Sequence, residues 1–143
     1  MKRVAILLVL LTAAAASAQT AAKFPNGVFR TTITDADLRK GHATNDIPEN
    51  HGTFTLTITA NGHWVLSQKA PNPLSNPLEK GVYFVKGSTV DFKTKQPPEY
   101  SGVGDYVSWR FDGAYLHLKL TRSDDPAPES YVIYGAHPWR KIK

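Results

Sequence analysis

Five histidines carry the most versatile chemistry in this chain, and their spacing decides what they can do. His42, His51, His63, His117 and His137 form no H-x-x-x-H pair, the arrangement by which one helix offers two imidazoles to a metal. His63 and His117 fall on the polar side of alternating stretches and are expected at the surface. No metal site is expected. Nucleophilic catalysis has no better foothold, because there is no cysteine, no G-x-S-x-G turn and no glycine-rich phosphate loop. Asp35, Asp37, Asp124 and Asp125 stand where helix caps and turns use carboxylates. No catalytic residue is assigned, and the chain reads as a binding or interaction protein rather than an enzyme; an active site assembled from dispersed residues would leave no motif.

What the residues do specify is a sheet. Asp105 to Leu120 holds two alternating runs that meet at Asp112-Gly113, a strong hairpin signal. A two-residue loop there sets Phe111 opposite Ala114, Trp109 opposite Leu116 and Val107 opposite Leu118. One face is then apolar, and the other carries Tyr106, Ser108, Arg110, Tyr115, His117 and Lys119. A second hairpin can be tested for register. A three-residue loop, Ala60-Asn61-Gly62, places Ile58 beside Trp64, Leu56 beside Leu66 and Phe54 beside Gln68, with the threonines on the other face. A two-residue loop mixes the faces, so the longer turn is expected, with Gly62 as its left-handed residue. A third hairpin turns at Gly87-Ser88 as type II′, pairing Val85 with Val90, Tyr83 with Phe92 and Phe84 with Asp91.

The remaining elements are shorter. Val28 to Ile33 is a strand that follows Asn26-Gly27. Thr34 to Gly41 reads as a short helix with Thr34 as N-cap, Asp37 completing a capping box and Gly41 stopping it. Three proline-rich stretches, 71–77, 96–99 and 126–128, are loops. Tyr131 to Ala136 is expected as the last strand, leading into His137-Pro138-Trp139-Arg140. Eight strands joined mostly by turns predict an all-β fold, a single antiparallel up-and-down barrel with one short helix after its first strand.

The chain opens with Lys2 and Arg3, an apolar run from Val4, and Ala16-Ser17-Ala18. That is the pattern of a signal peptide cleaved after Ala18, and the run is short for a membrane span of about 20 residues. Residues 1–18 are therefore read as the signal and 19–143 as one domain, secreted or periplasmic, with no membrane span after cleavage. Without Lys2 and Arg3, fifteen basic residues face twelve acidic ones, a charge of +3. The basic residues look scattered along the chain apart from Arg140, Lys141 and Lys143, so no nucleic-acid stripe is expected. The absence of cysteine fits a bacterial extracytoplasmic protein.

Gly27-Val28-Phe29-Arg30, Gly62-His63-Trp64, Gly81-Val82-Tyr83-Phe84-Val85, the Trp109-x-Phe-Asp-Gly-x-x-Leu116-x-Leu118 hairpin and the ending His137 to Ile142 together resemble the calycins, above all small bacterial lipocalin-like domains. The first strand carries Phe29 where lipocalins have tryptophan, and their disulfides are missing. The resemblance implies a barrel with an apolar or amphipathic ligand inside. The expected lining is Phe54, Leu56, Ile58, Trp64, Leu66, Tyr83, Val85, Phe92, Val107, Trp109, Phe111 and Leu116, with Gln68, Arg30 and Tyr83 as candidates to orient a polar head. It also implies a closing stack of Trp139 on Arg30, or of Phe29 on Arg140, and would single out His137 were haem bound, although no cofactor is expected. The alternative is a filled barrel that acts as a protein-interaction or inhibitor module through its proline-rich loops.

Overall fold

The structure is a computed structural model describing residues 23–45, 47–69 and 77–143. The expected signal peptide and nearly all of the 71–77 loop lie outside these residues. Eight antiparallel strands close into a barrel in chain order, β1 (Gly27–Ile33), β2 (Gly52–Ile58), β3 (His63–Lys69), β4 (Glu79–Lys86), β5 (Thr89–Gln96), β6 (Gly104–Phe111), β7 (Tyr115–Ser123) and β8 (Trp139–Lys141). Closure through β8 pairs the two ends of the strand order, although the three-residue β8 covers only the start of β7.

The β2–β3 register is the expected one: Ile58 faces Trp64, Leu56 faces Leu66 and Phe54 faces Gln68, with Gly62 at φ 87°. The β4–β5 pairs are also as expected, and only Gly87 of its turn has positive φ, which is the type II′ pattern. The β6–β7 hairpin differs. Phe111 faces Leu116, Trp109 faces Leu118 and Val107 faces Leu120, two residues from the expected register. The cause is Asp112, whose Oδ1 accepts from the backbone N–H of Ala114 and Tyr115 at 3.0 and 2.7 Å. That Asx-type capping widens the loop, and only Gly113 takes positive φ. A slip of two keeps every side chain on its expected face.

Thr34 caps α1 (Asp35–Lys40) with a full capping box, as expected. A one-turn helix, α2 (Ile47–Asn50), follows within the segment read as loop. The larger correction concerns Tyr131–Ala136, which is helix. α3 (Pro128–Gly135) starts with Pro128 in its first turn and buries Val132, Ile133 and Tyr134. Proline is pre-shaped for that position, and three consecutive buried residues cannot all face one side of a strand. The eighth strand is instead Trp139–Lys141, which bridges β1 (Arg30 to Arg140) and β7 (Leu116 to Trp139).

All three α-helices sit at one barrel end, beside the finish of β1, β3, β5 and β7. The opposite, hairpin end holds the β2–β3, β4–β5 and β6–β7 turns. There β1 begins and the C-terminal residues finish, with the Val28 N–H donating to the Lys143 carbonyl at 3.0 Å.

Candidate functional site

Of the twelve residues expected to line the barrel, nine are buried: Phe54, Leu56, Ile58, Trp64, Leu66, Phe92, Val107, Trp109 and Leu116. Tyr83 and Phe111 are half-buried against that core, and Val85, beside the β4–β5 tip, is 43% exposed. The buried rings touch one another. Phe92 has Trp64 at 5.2 Å, Tyr83 at 6.4 Å and Tyr134 stacked at 6.0 Å between ring centroids. Phe24, which precedes β1, enters at the hairpin end and meets Tyr83, Phe92 and Trp109 at 5.4, 6.1 and 5.1 Å. Its role had no periodic signal in the sequence, since it stands alone outside any strand.

The polar groups expected to orient a ligand are engaged with the chain itself. Gln68 is buried, and its amide nitrogen donates to the carbonyls of Glu49 (2.5 Å) and His51 (2.8 Å), tying α2 to β3. The Tyr83 hydroxyl donates to the Thr59 carbonyl at 2.8 Å. Arg30 is exposed on the outer face. Neither expected cation–aromatic stack forms. Trp139 is fully buried and donates to the Tyr134 carbonyl at 3.3 Å, while Phe29 meets Phe111 edge-on at 6.0 Å. Both rings point inward while Arg30 and Arg140, neighbours across β1 and β8, point out.

A polar cluster lies under α3. The Tyr134 hydroxyl bonds to Asp105, and Thr94 Oγ1 donates to Glu79 at 2.9 Å. Burial pushes Asp105 up despite the Ser123 and Tyr134 side chains beside it, and burial likewise pushes Glu79 up against the pull of Thr94, with Asp105 adding to the rise. Burial, then the two carboxylates, holds the Tyr134 phenol protonated. The acid–phenol cluster is a finding of the fold, because its members are drawn from four separate elements.

Three histidines pair with aspartates: His51 with Asp35, His117 with Asp112 at 3.0 Å and His137 with Asp37 at 3.0 Å. His63 is exposed beside Asn61. Among the described residues, no group of three or more histidine, cysteine or acidic side chains could hold a metal ion. Two of the pairs, Asp35–His51 and Asp37–His137, hold α1 against its neighbours. The carboxylate of Asp37 resists burial because Thr34 donates to it from side chain and backbone and His137 lies alongside, so its pKa is lowered.

Among the described residues, one open cavity lies outside the ring of strands. β8 is only three residues long, so β7 has no strand partner on that side beyond Leu116, and α3 fills the seam. A groove of about 720 Å³ remains there, floored by Leu118–Leu120 of β7, with α1 (Asp37, Lys40, Gly41) and α3 with its exit (Tyr131, Val132, Gly135, Ala136, His137) as walls. The volume lies within the range of about 300–1,000 Å³ usual for small-molecule pockets. Sequence reasoning missed this site by reading α3 as a strand. Pro128 followed by Glu129 was the available signal, since both belong in a first helical turn. No helix among the described residues is long and apolar enough to cross a membrane. No family model, curated protein or solved structure matches the chain.

Proposed function

We propose that this is a lipocalin-like small-molecule-binding protein, exported by a signal peptide cleaved after Ala18, that takes an apolar or amphipathic ligand. The supporting observation is the seam groove, in which exposed Tyr131 stands over a floor and wall formed by the almost fully buried Leu118, Leu120 and Val132, with Asp37, Lys40 and His137 as ionic groups at its rim. Apolar walls with a few convergent polar groups are what such ligands need. The ligand therefore sits against α3, outside the ring of strands. The test is native mass spectrometry of protein purified from its host, followed by solvent extraction. A releasable adduct that disappears in Ala136→Trp, which fills the groove, supports the reading. An adduct that survives Ala136→Trp but is lost in Leu56→Trp returns the site to the barrel interior.

A second reading has its own observation. Phe92 is surrounded by four aromatic rings, so the interior is occupied by the chain. A filled barrel suits an interaction module that uses the loops at 96–99 and 126–128. A bare mass under every gentle condition favours it.

A further inference from the structure

Folding sorts the charges of this chain. Lys23, Lys86 and Arg110, scattered in sequence, join the Arg140, Lys141 and Lys143 cluster at the hairpin end, all exposed, while the other nine basic residues of 23–143 lie elsewhere. The turns that carry them are joined there. Trp109 N–H donates to the Ser88 carbonyl and its indole to the Gly87 carbonyl, while Lys141 N–H donates to the Ala114 carbonyl. Asp112 is the acid of this end, and its carboxylate is taken up by the Ala114 and Tyr115 amides and by His117. The other described acids lie toward the helical end, except Asp91, which neighbours Lys93. The molecule is thus a dipole with a cationic tip.

Large apolar side chains stand exposed on the same tip. Phe84 is 60% exposed, Val85 43%, Tyr115 42% and Ile142 38%. Basic residues and exposed aromatic and aliphatic side chains at one end of a domain are the composition of interfacial membrane anchors, in which the cations meet lipid phosphates and the apolar groups enter the headgroup boundary. A single strand of nucleic acid would use the cations and stack on Phe84 or Tyr115, but it has no use for exposed Val85 and Ile142.

We infer that the hairpin end docks this protein, tip first, onto a membrane surface rich in anionic lipid, leaving the helical end and its groove facing the aqueous space. The cations supply long-range attraction, and Phe84, Val85 and Ile142 supply the short-range hold.

The test is vesicle co-sedimentation of the protein as its host exports it, using phosphatidylcholine vesicles with and without one-third phosphatidylglycerol. Expected is binding to the anionic vesicles at least tenfold tighter than to the zwitterionic ones, weakening as salt rises. The triple variant K86E/K141E/K143E should lose it. Phe84→Ser with Ile142→Ser should weaken binding at least fivefold at constant charge, and all changed positions are exposed, so circular dichroism should show an unaltered fold. Equal binding to both vesicle types, or no binding at low salt, overturns the inference. Stronger binding to single-stranded DNA than to anionic vesicles, unchanged in the Phe84/Ile142 variant, also overturns it and assigns the tip to polyanions.

Discussion

Gly41, the C-cap of α1, lies flat against Val132 of α3: a Cβ added at Gly41 would stand 2.2 Å from Val132 Cγ2. The left-handed residue that ends the helix is the next one, His42, at φ 57°, with Ala43 N–H closing the turn onto the Leu38 carbonyl at 2.8 Å. Gly41 is therefore needed for close packing, and the backbone strain sits on a histidine.

Two substitutions separate these roles. Gly41→Ala should cost about 1–3 kcal/mol by overpacking. His42→Gly should raise stability or leave it level, because relief of the left-handed strain opposes the added entropy of the unfolded chain. Urea denaturation of both variants checks this. A harmless Gly41→Ala would mean that α3 moves freely.

Phe24 is tested through its neighbour. Phe24→Ala should cost about 3 kcal/mol, toward the low end for a buried phenylalanine because the arm can relax. Trp109 should report the loss through a red shift and increased quenching of its fluorescence, since Phe24 covers its ring. An unshifted spectrum would show that the arm does not plug the barrel.

Gln68 has both amide hydrogens in use, on the carbonyls of Glu49 in α2 and of His51 just after it. Gln68→Leu keeps the volume but leaves those carbonyls unpaired, a cost of about 1–3 kcal/mol. Amide exchange should locate the damage in α2 and the start of β2; loss spread evenly over the barrel would contradict the local role.

Acid and neutral pH should act on different carboxylates. Asp112 is held down to about 2 by the Tyr115 amide, His117 and the Ala114 amide. Its folded pKa is below its unfolded value, so its contribution is present above about 4 and is lost as pH falls through about 2. Asp112→Ala should move the acid-unfolding midpoint upward. Glu79 and Asp105 shift the other way, because burial raises both. Their contribution is greatest below their unfolded pKa and declines as pH rises through the folded value. Glu79→Gln, which can still accept from Thr94, should therefore raise the melting temperature at pH 7 and leave it nearly unchanged at pH 4.

The barrel, its one-sided strands and the capping box of α1 were legible in the residues because they depend on neighbours two to four positions apart. Alternation of threonine with Phe54, Leu56 and Ile58 admits one register against Trp64 and Leu66, so that hairpin is determined locally. The same alternation could not separate the two registers of the Asp112 hairpin, since a slip of two preserves both faces; a carboxylate accepting from two amides decided it. Tyr131–Ala136 has strand-like composition, yet it folds as helix because Pro128 starts it and the seam beside the three-residue β8 needs filling. The groove, the buried Glu79–Asp105–Tyr134 cluster and the cationic tip belong to tertiary structure alone. The cluster joins β4, β6 and α3, the groove joins α1, β7 and α3, and the tip adds Lys23, Lys86 and Arg110 to the C-terminal basic residues, so each depends on how distant elements pack.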